Sequence, residues 1–268
     1  ISQMVLCIWV LSHFTSRRSV IRLRIDNLVP VAEIIKYIVT IGFASFAMQI
    51  AASIVQGLFT RQLITHGGDI AVGAMGIINS VTIMLVMAIV ALNMASQPII
   101  GFNYGARNYS RVLHTVNLGI RAATLIAAGG WLLCMFVPEG IVALFNSTDR
   151  ELLETGVSGL RIYAALLPIV GFQIIASNLF QSIGKARLAT FLSLLRQVIY
   201  LIPLLAILPG FFGITGVWLA MPVSDFLSSI TSFVFLRKEM KKLSLQKQKC
   251  AKRPGVPAEP VPVIPFGA

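Results

Sequence analysis

The chain has 268 residues, of which 56% are hydrophobic and only 12% charged, with a formal net charge of +12. A water-soluble domain carries about 25% charged residues, so the composition excludes a soluble enzyme or a nucleic-acid-binding domain. The basic residues sit in short runs between long apolar stretches, the pattern of a polytopic membrane protein with basic cytoplasmic loops.

In chain order, the first apolar run is Ile1–Phe14. A spanning helix needs roughly 20 residues, so 1–14 reads as the end of a preceding transmembrane helix and the chain as the C-terminal part of a longer protein. Residues 15–30 form a basic loop with Arg17, Arg18, Arg22 and Arg24. Six apolar stretches follow, over Val31–Phe59, Ile70–Ile100, Val112–Val137, Val157–Ile183, Ala186–Leu208 and Ile214–Leu236. Lacking period-two alternation, they predict helices and not barrel strands. The loops between them alternate. Thr60–Asp69 balances Arg61 with Asp69, Asn103–Arg111 is basic, Pro138–Glu154 is acidic, Lys185 and Arg187 are basic, and Pro209–Gly213 is uncharged. Basic loops face the cytoplasm, so the six crossings over 31–236 return the chain to the side on which they start. The tail, 237–268, is basic and then Pro-rich, with the composition of a disordered cytoplasmic segment. The expected fold is an all-α membrane protein, a six-helix transmembrane bundle preceded by the end of another helix.

Cys7, Cys134 and Cys250 are scattered and have no His or Cys at metal-ligand spacing, which predicts neither a disulfide framework nor a zinc site. His13, His66 and His114 fall at helix ends or in loops and read as interfacial residues. Arg161 sits where its side chain can snorkel to a surface, and Arg121 is a candidate for an interior path.

Polar residues inside a membrane are costly and turn towards a bundle interior or cavity. Gln49, Asn79, Asn178, Gln181, Arg196 and Gln197 are the candidate cavity-lining residues. Arg196 and Asp225 lie near the middle of consecutive antiparallel helices, at similar depth. An unpaired charge at that depth costs several kcal/mol, so the two are expected to pair or to share a water-filled cavity. They are the candidate ion-coupling pair, with a purely structural ion pair as the alternative.

One stretch carries a more specific signal. Ser96-Gln97-Pro98-Ile99-Ile100-Gly101-Phe102-Asn103-Tyr104-Gly105-Ala106 ends a long apolar run and enters a basic loop. It resembles the Gln-Pro-x-x-Gly-x-Asn-Tyr-Gly-Ala segment at the end of helix eight in the multidrug and toxic compound extrusion (MATE) transporters. Further stretches resemble that family in the same order: Phe180–Ala186, Leu195-Arg196-Gln197 with Pro203, Gly213–Trp218, and Pro222–Asp225. The resemblance covers roughly 31–236. It implies a twelve-helix protein of two six-helix lobes, of which this chain supplies the C-terminal one and needs the N-terminal lobe as its partner. It also implies export of small organic, often cationic, compounds in exchange for sodium ions or protons, with no cofactor. Alternating access then comes from rocking one lobe against the other.

Within the motif, Gln97, Pro98, Gly101, Asn103 and Gly105 read as a gate or structural element. Pro98 is expected to end or bend the helix, Gly101 and Gly105 to permit close packing and a turn, and Asn103 to cap exposed backbone. Some branches of the family carry a coupling carboxylate in helices seven or ten, which has no equivalent here beyond Glu33 at the start of the first span, so the chain resembles more the branches whose coupling acid lies in the N-terminal lobe. That leaves Asp225 as the deep acid of this half. Three other readings compete: a lipid-linked oligosaccharide flippase, which calls for a strongly cationic cavity, a truncated inactive half-transporter, and a membrane-embedded enzyme. The last lacks an HExxH motif, paired intramembrane acids or a histidine within a span.

Overall fold

A backbone in hydrocarbon must satisfy its own hydrogen bonds, and a helix does so within a single segment. The computed structural model describes residues Ser2–Thr15 and Ala32–Ala251, and among them it contains helices and turns but no strand. The arginine-rich stretch 16–31 and the Pro-rich end of the tail lie outside the described residues. The chain divides into two units, Ile1–Ala47 and Met48–Ala268.

The first unit contains α1 (Ser2–Thr15) and the start of α2 (Ala32–Gly105). Helix α1 exposes Met4, Leu6, Ile8 and Trp9, and an apolar surface of that kind suits lipid or another protein and not water.

The helical stretches Phe46–Gly105, which lies in the second unit from Met48 onward, and Arg187–Gln248 are 60 and 62 residues long. Drawn straight, each would reach about 90 Å, three times the hydrocarbon thickness of a bilayer. Neither is straight. Gly68 at φ 64° and Gly213 at φ 57° interrupt them in a backbone region that glycine enters without steric cost. The reversal at Gly213 follows from one contact: the Tyr200 hydroxyl lies 3.0 Å from Thr231 Oγ1, 31 residues further along the chain. On a straight helix that separation would be about 46 Å. Around Gly68, Val55 and Met75 pack on the same buried cluster as Phe59, Leu63 and Ala71. The loops expected over Thr60–Asp69 and Pro209–Gly213 therefore shrink to glycine corners. The corners meet, since Gly67 abuts the Ile214 side chain so closely that a β-carbon there would collide with it.

Helix α3 (Tyr109–Phe136) starts at Asn108, whose side chain accepts from the Arg111 amide. After the short α4 (Pro138–Ala143), α5 (Arg150–Tyr163) is capped by Asp149, which accepts from the Glu151 and Leu152 amides. The single span expected over Val157–Ile183 is a broken one. Helix α5 starts earlier and stops at Tyr163, and α6 (Leu167–Ser182) leaves at 49° to it. Pro168 sits in the first turn of α6, where its missing N–H leaves no gap. Next come α7 (Ala186–Leu194), a π-helical segment (Leu195–Leu201) and α8 (Ile202–Ala251).

The core is layered. Phe59, Leu63, Leu201, Leu205, Val217 and Trp218 fill the end with the glycine corners. Ile100, Val112, Phe180, Leu192, Leu236 and Leu243 fill the opposite end. Between them, α3 and α6 approach backbone to backbone at Gly171 and Ala123. The tail does not lose structure at Arg237. Helix α8 continues to Ala251, with Leu243 fully buried and Glu239 nearly so.

Candidate functional site

Arg196 and Asp225 form an ion pair, with Nε 2.7 Å from Oδ1. The two carriers are antiparallel because the chain reverses at Gly213, and this sets both charges at one depth. The Asp225 side chain is 7% exposed and that of Arg196 27%. Arg196 stands in the π-helical segment, a form that recurs at functional sites. Its widened turn is held by the Ile202 amide bonding back to the Gln197 carbonyl. The Arg196 carbonyl accepts from the Ser224 hydroxyl at 3.0 Å, so the neighbour of Asp225 also fixes the backbone under the arginine.

The pair borders a cavity of about 50 Å³ lined by Thr82, Val86, Tyr163, Leu167, Val170 and Met221 as well as the two charges. Tyr163 and Leu167 are the two edges of the α5–α6 break. The cavity has room for water but not for a drug-sized molecule, for which pockets run to roughly 300–1,000 Å³.

A second polar cluster ties α6 to α2. Asn178, 2% exposed, donates to the Asn93 carbonyl at 3.1 Å and to Ser96 Oγ at 3.2 Å, and Ser182 donates to the Asn178 carbonyl and Oδ1. Asn178 is thus a bridge between helices. Gln49, Asn79 and Gln181 are exposed, and Gln197 is half-buried with an unpartnered Oε1. Of the expected lining residues, Arg196 borders this small cavity within the lobe. Arg121 and Arg161 are also on the surface.

The motif beginning at Gln97 behaves differently from its expected parts. Pro98 does not end α2, which runs on to Gly105. Asn103 is not a cap either: its Nδ2 donates to the Ile99 carbonyl one turn back, and Asn108 caps the next helix. Gly101 fits against the Ser182 carbonyl, where a β-carbon would lie at 3.4 Å, whereas Gly105 has open space around it. Gln97 is half-buried.

Two features were not anticipated from the sequence. Lys185 Nζ lies 2.5 Å from Glu239 Oε1 and joins the α6–α7 turn to the distal part of α8. Gln173 Nε2 lies 2.5 Å from Ser228 Oγ across α6 and α8. The serines Ser224, Ser228 and Ser232, four apart on one face and all fully buried, were the sequence signal for a polar helix contact. Among the described residues no group of His, Cys, Asp and Glu could hold a metal ion.

The comparisons with known proteins agree with this architecture. The sequence model of the MatE family matches residues 43–207. The multidrug export protein MepA of Staphylococcus aureus (strain N315) is 24% identical over 236 residues, covering 88% of this chain and 51% of the relative. The solved structure of the MATE multidrug transporter DinF-BH superposes with a TM-score of 0.73 at 37% identity, over 88% of this chain and 53% of that one. An inward-facing multidrug resistance MATE transporter of the MOP superfamily gives a TM-score of 0.78 at 22% identity, over 90% of this chain and 55% of that one, a likeness of fold. The chain spans about half the length of the relatives it matches. An all-helical apolar bundle with paired charges at its centre, matched by the family model over more than half its length, identifies a membrane protein that belongs to the MatE family.

Proposed function

We propose that the chain forms the C-terminal lobe of a secondary active exporter of organic, often cationic, compounds, coupled to inward movement of sodium ions or protons. The observation that carries this reading is the Arg196–Asp225 pair bordering a cavity inside an otherwise apolar bundle. Buried charges in a membrane bundle mark ion or substrate paths, and the family supplies the transport chemistry. A cavity of about 50 Å³ is too small to hold a drug. The substrate space is therefore built by this lobe together with an N-terminal lobe that provides the facing wall, and it alternates between the two sides as the lobes rock.

The reading places the protein in the cell membrane, with the Lys185 and Arg237 end in the cytoplasm, because the basic residues concentrate there. A flippase for an anionic lipid-linked sugar calls for a cationic cavity. Among the described residues, the one cation bordering this cavity is Arg196, which Asp225 neutralises.

The test is export by the full-length transporter in vesicles under an imposed sodium or proton gradient. Asp225→Asn is expected to abolish gradient-driven export while leaving substrate binding measurable. Unchanged coupled export in that variant removes Asp225 from the mechanism.

A further inference from the structure

Asp225 begins a polar seam that the ion pair does not use. At 3.6 residues per turn, Ser228, Ser229 and Ser232 fall on the same face of α8 as Asp225. All three serines are buried: Ser228 and Ser232 completely, Ser229 at 6% exposure. Gln173, also 6% exposed, reaches in from α6 with its Nε2 on Ser228 Oγ. Among the described residues its Oε1 has no hydrogen-bond partner, nor do the hydroxyls of Ser229 and Ser232. A helical serine ordinarily returns its hydroxyl to the carbonyl four residues back, as Ser158 does to Glu154 and Ser182 to Asn178. Ser229 and Ser232 do not. Buried polar atoms in native proteins are nearly always paired, and water supplies the missing partners where protein does not.

The charged and titratable groups that border the cavity beside Asp225 are Arg196, from the π segment, and Tyr163, from α5. Helices α2 and α6 present Thr82, Val86, Leu167 and Val170 there. Beyond Ser232 the same face of α8 continues with Leu236, which is buried in the apolar layer, and then with Glu239 paired to Lys185.

We propose that the seam of Ser228, Ser229 and Ser232, flanked by Gln173, takes up a file of water when α6 and α8 separate during the cycle, and that Asp225 exchanges protons through it with the end of the bundle that carries Lys185 and Glu239. The protonated carboxyl passes its proton to the adjoining water. The proton moves on by hydrogen-bond exchange along the file and leaves as one proton at that end. The carboxylate left behind pairs again with Arg196. In this conformation the seam is packed shut, with Ser228 and Ser232 fully buried and the Leu236 layer beyond them. The inference rests on the coupled-exporter reading and makes the proton its coupling ion.

The experiment uses the full-length protein in vesicles, with its native cysteines replaced and one new thiol introduced by Ser229→Cys or Ser232→Cys. The vesicles cycle under an imposed gradient and are exposed to Ag⁺ in chloride-free buffer. Unreacted thiols are then counted by mass after unfolding. Thiol reaction follows access, and both positions are expected to react at least about tenfold faster than the buried apolar controls Ala176→Cys and Ala220→Cys. Rates equal to the controls overturn the proposal. In parallel, Ser229→Val with Ser232→Val is expected to slow substrate-driven proton release about tenfold, since the hydrogen-bonding relay is lost. If the valine pair fails to fold, the alanine pair removes the hydroxyls without added bulk. Unchanged proton flux overturns the proposal. Labelling at 229 and 232 in a protein that exports against sodium alone overturns the proton role but leaves the exporter reading standing. Labelling without export of any substrate overturns the exporter reading and supports only the hydrated seam.

Discussion

Lys185 and Glu239 meet at 2.5 Å between Nζ and Oε1. The contact clamps the turn between α6 and α7 onto a helix that has already run past its apolar span. The Glu239 side chain is 9% exposed and that of Lys185 37%. Removing the lysine leaves a buried carboxylate without its counter-charge, which is the costly way to break a pair. Lys185→Met is expected to destabilise the lobe by about 1–2 kcal/mol, a figure reduced because the lysine is partly solvated. Glu239→Gln is expected to cost less. Thermal unfolding in detergent checks the order, and the exchanged pair Lys185→Glu with Glu239→Lys is expected to recover part of the loss.

The Arg196–Asp225 pair lends itself to a double-mutant comparison. Arg196→Met strands the buried Asp225 and is expected to cost about 3–5 kcal/mol. Combining it with Asp225→Leu removes both charges and is expected to restore most of the stability. Export is expected to fail in both variants. Full export by the uncharged double variant would reduce the pair to a structural one.

The corners depend on backbone geometry. Gly213 at φ 57° and ψ −135° lies in a region that is nearly reserved for glycine, and holding a residue with a β-carbon there costs roughly 1–3 kcal/mol. Gly213→Ala and Gly213→Asn are both expected to lower the melting temperature. Equal melting of the alanine variant and the parent would mean that the corner tolerates another conformation.

At Gly171 the obstacle is space. A β-carbon there would stand 2.7 Å from the Ala123 carbonyl oxygen. Backbone cannot step aside as a side chain can, so Gly171→Ala is expected to force α3 and α6 apart and cost about 1–3 kcal/mol. Gly129, where an added methyl group would meet nothing within 4 Å, is the control. Gly129→Ala is expected to melt at or slightly above the parent, because alanine favours the helix.

The six apolar stretches and the meeting of Arg196 with Asp225 were legible in the sequence for the same reason. Depth in a membrane is counted along the chain, and two charges cannot afford to sit there apart. The corners were not legible. Polar residues such as Arg61 and Gln62 suggest a loop, yet they lie in helix up to Gly67 because a single glycine suffices to turn the chain. The π turn at Leu195–Leu201 leaves no mark in composition, since it changes which carbonyl an amide reaches and not which residue is apolar. Asn178 was legible as a buried polar residue, but its partners, Asn93 and Ser96, depend on how two helices rotate against each other. The helical continuation past Arg237 was missed because the charged residues of that stretch hid Leu236, Glu239 and Leu243, which recur at helical spacing on one face.

The bend between α5 and α6 has a mechanical consequence. Helix α5 has 14 residues and is a lever of about 21 Å, and a rotation of about 10° at Tyr163–Leu167 displaces its far end by about 4 Å. The pivot residues are also part of the cavity wall beside Asp225. Any tilt of α5 therefore reshapes the space next to the buried charges, and occupancy of that space feeds back on the tilt. The elbow joins a movement at one end of the lobe to the electrostatics at its centre with no intermediary part.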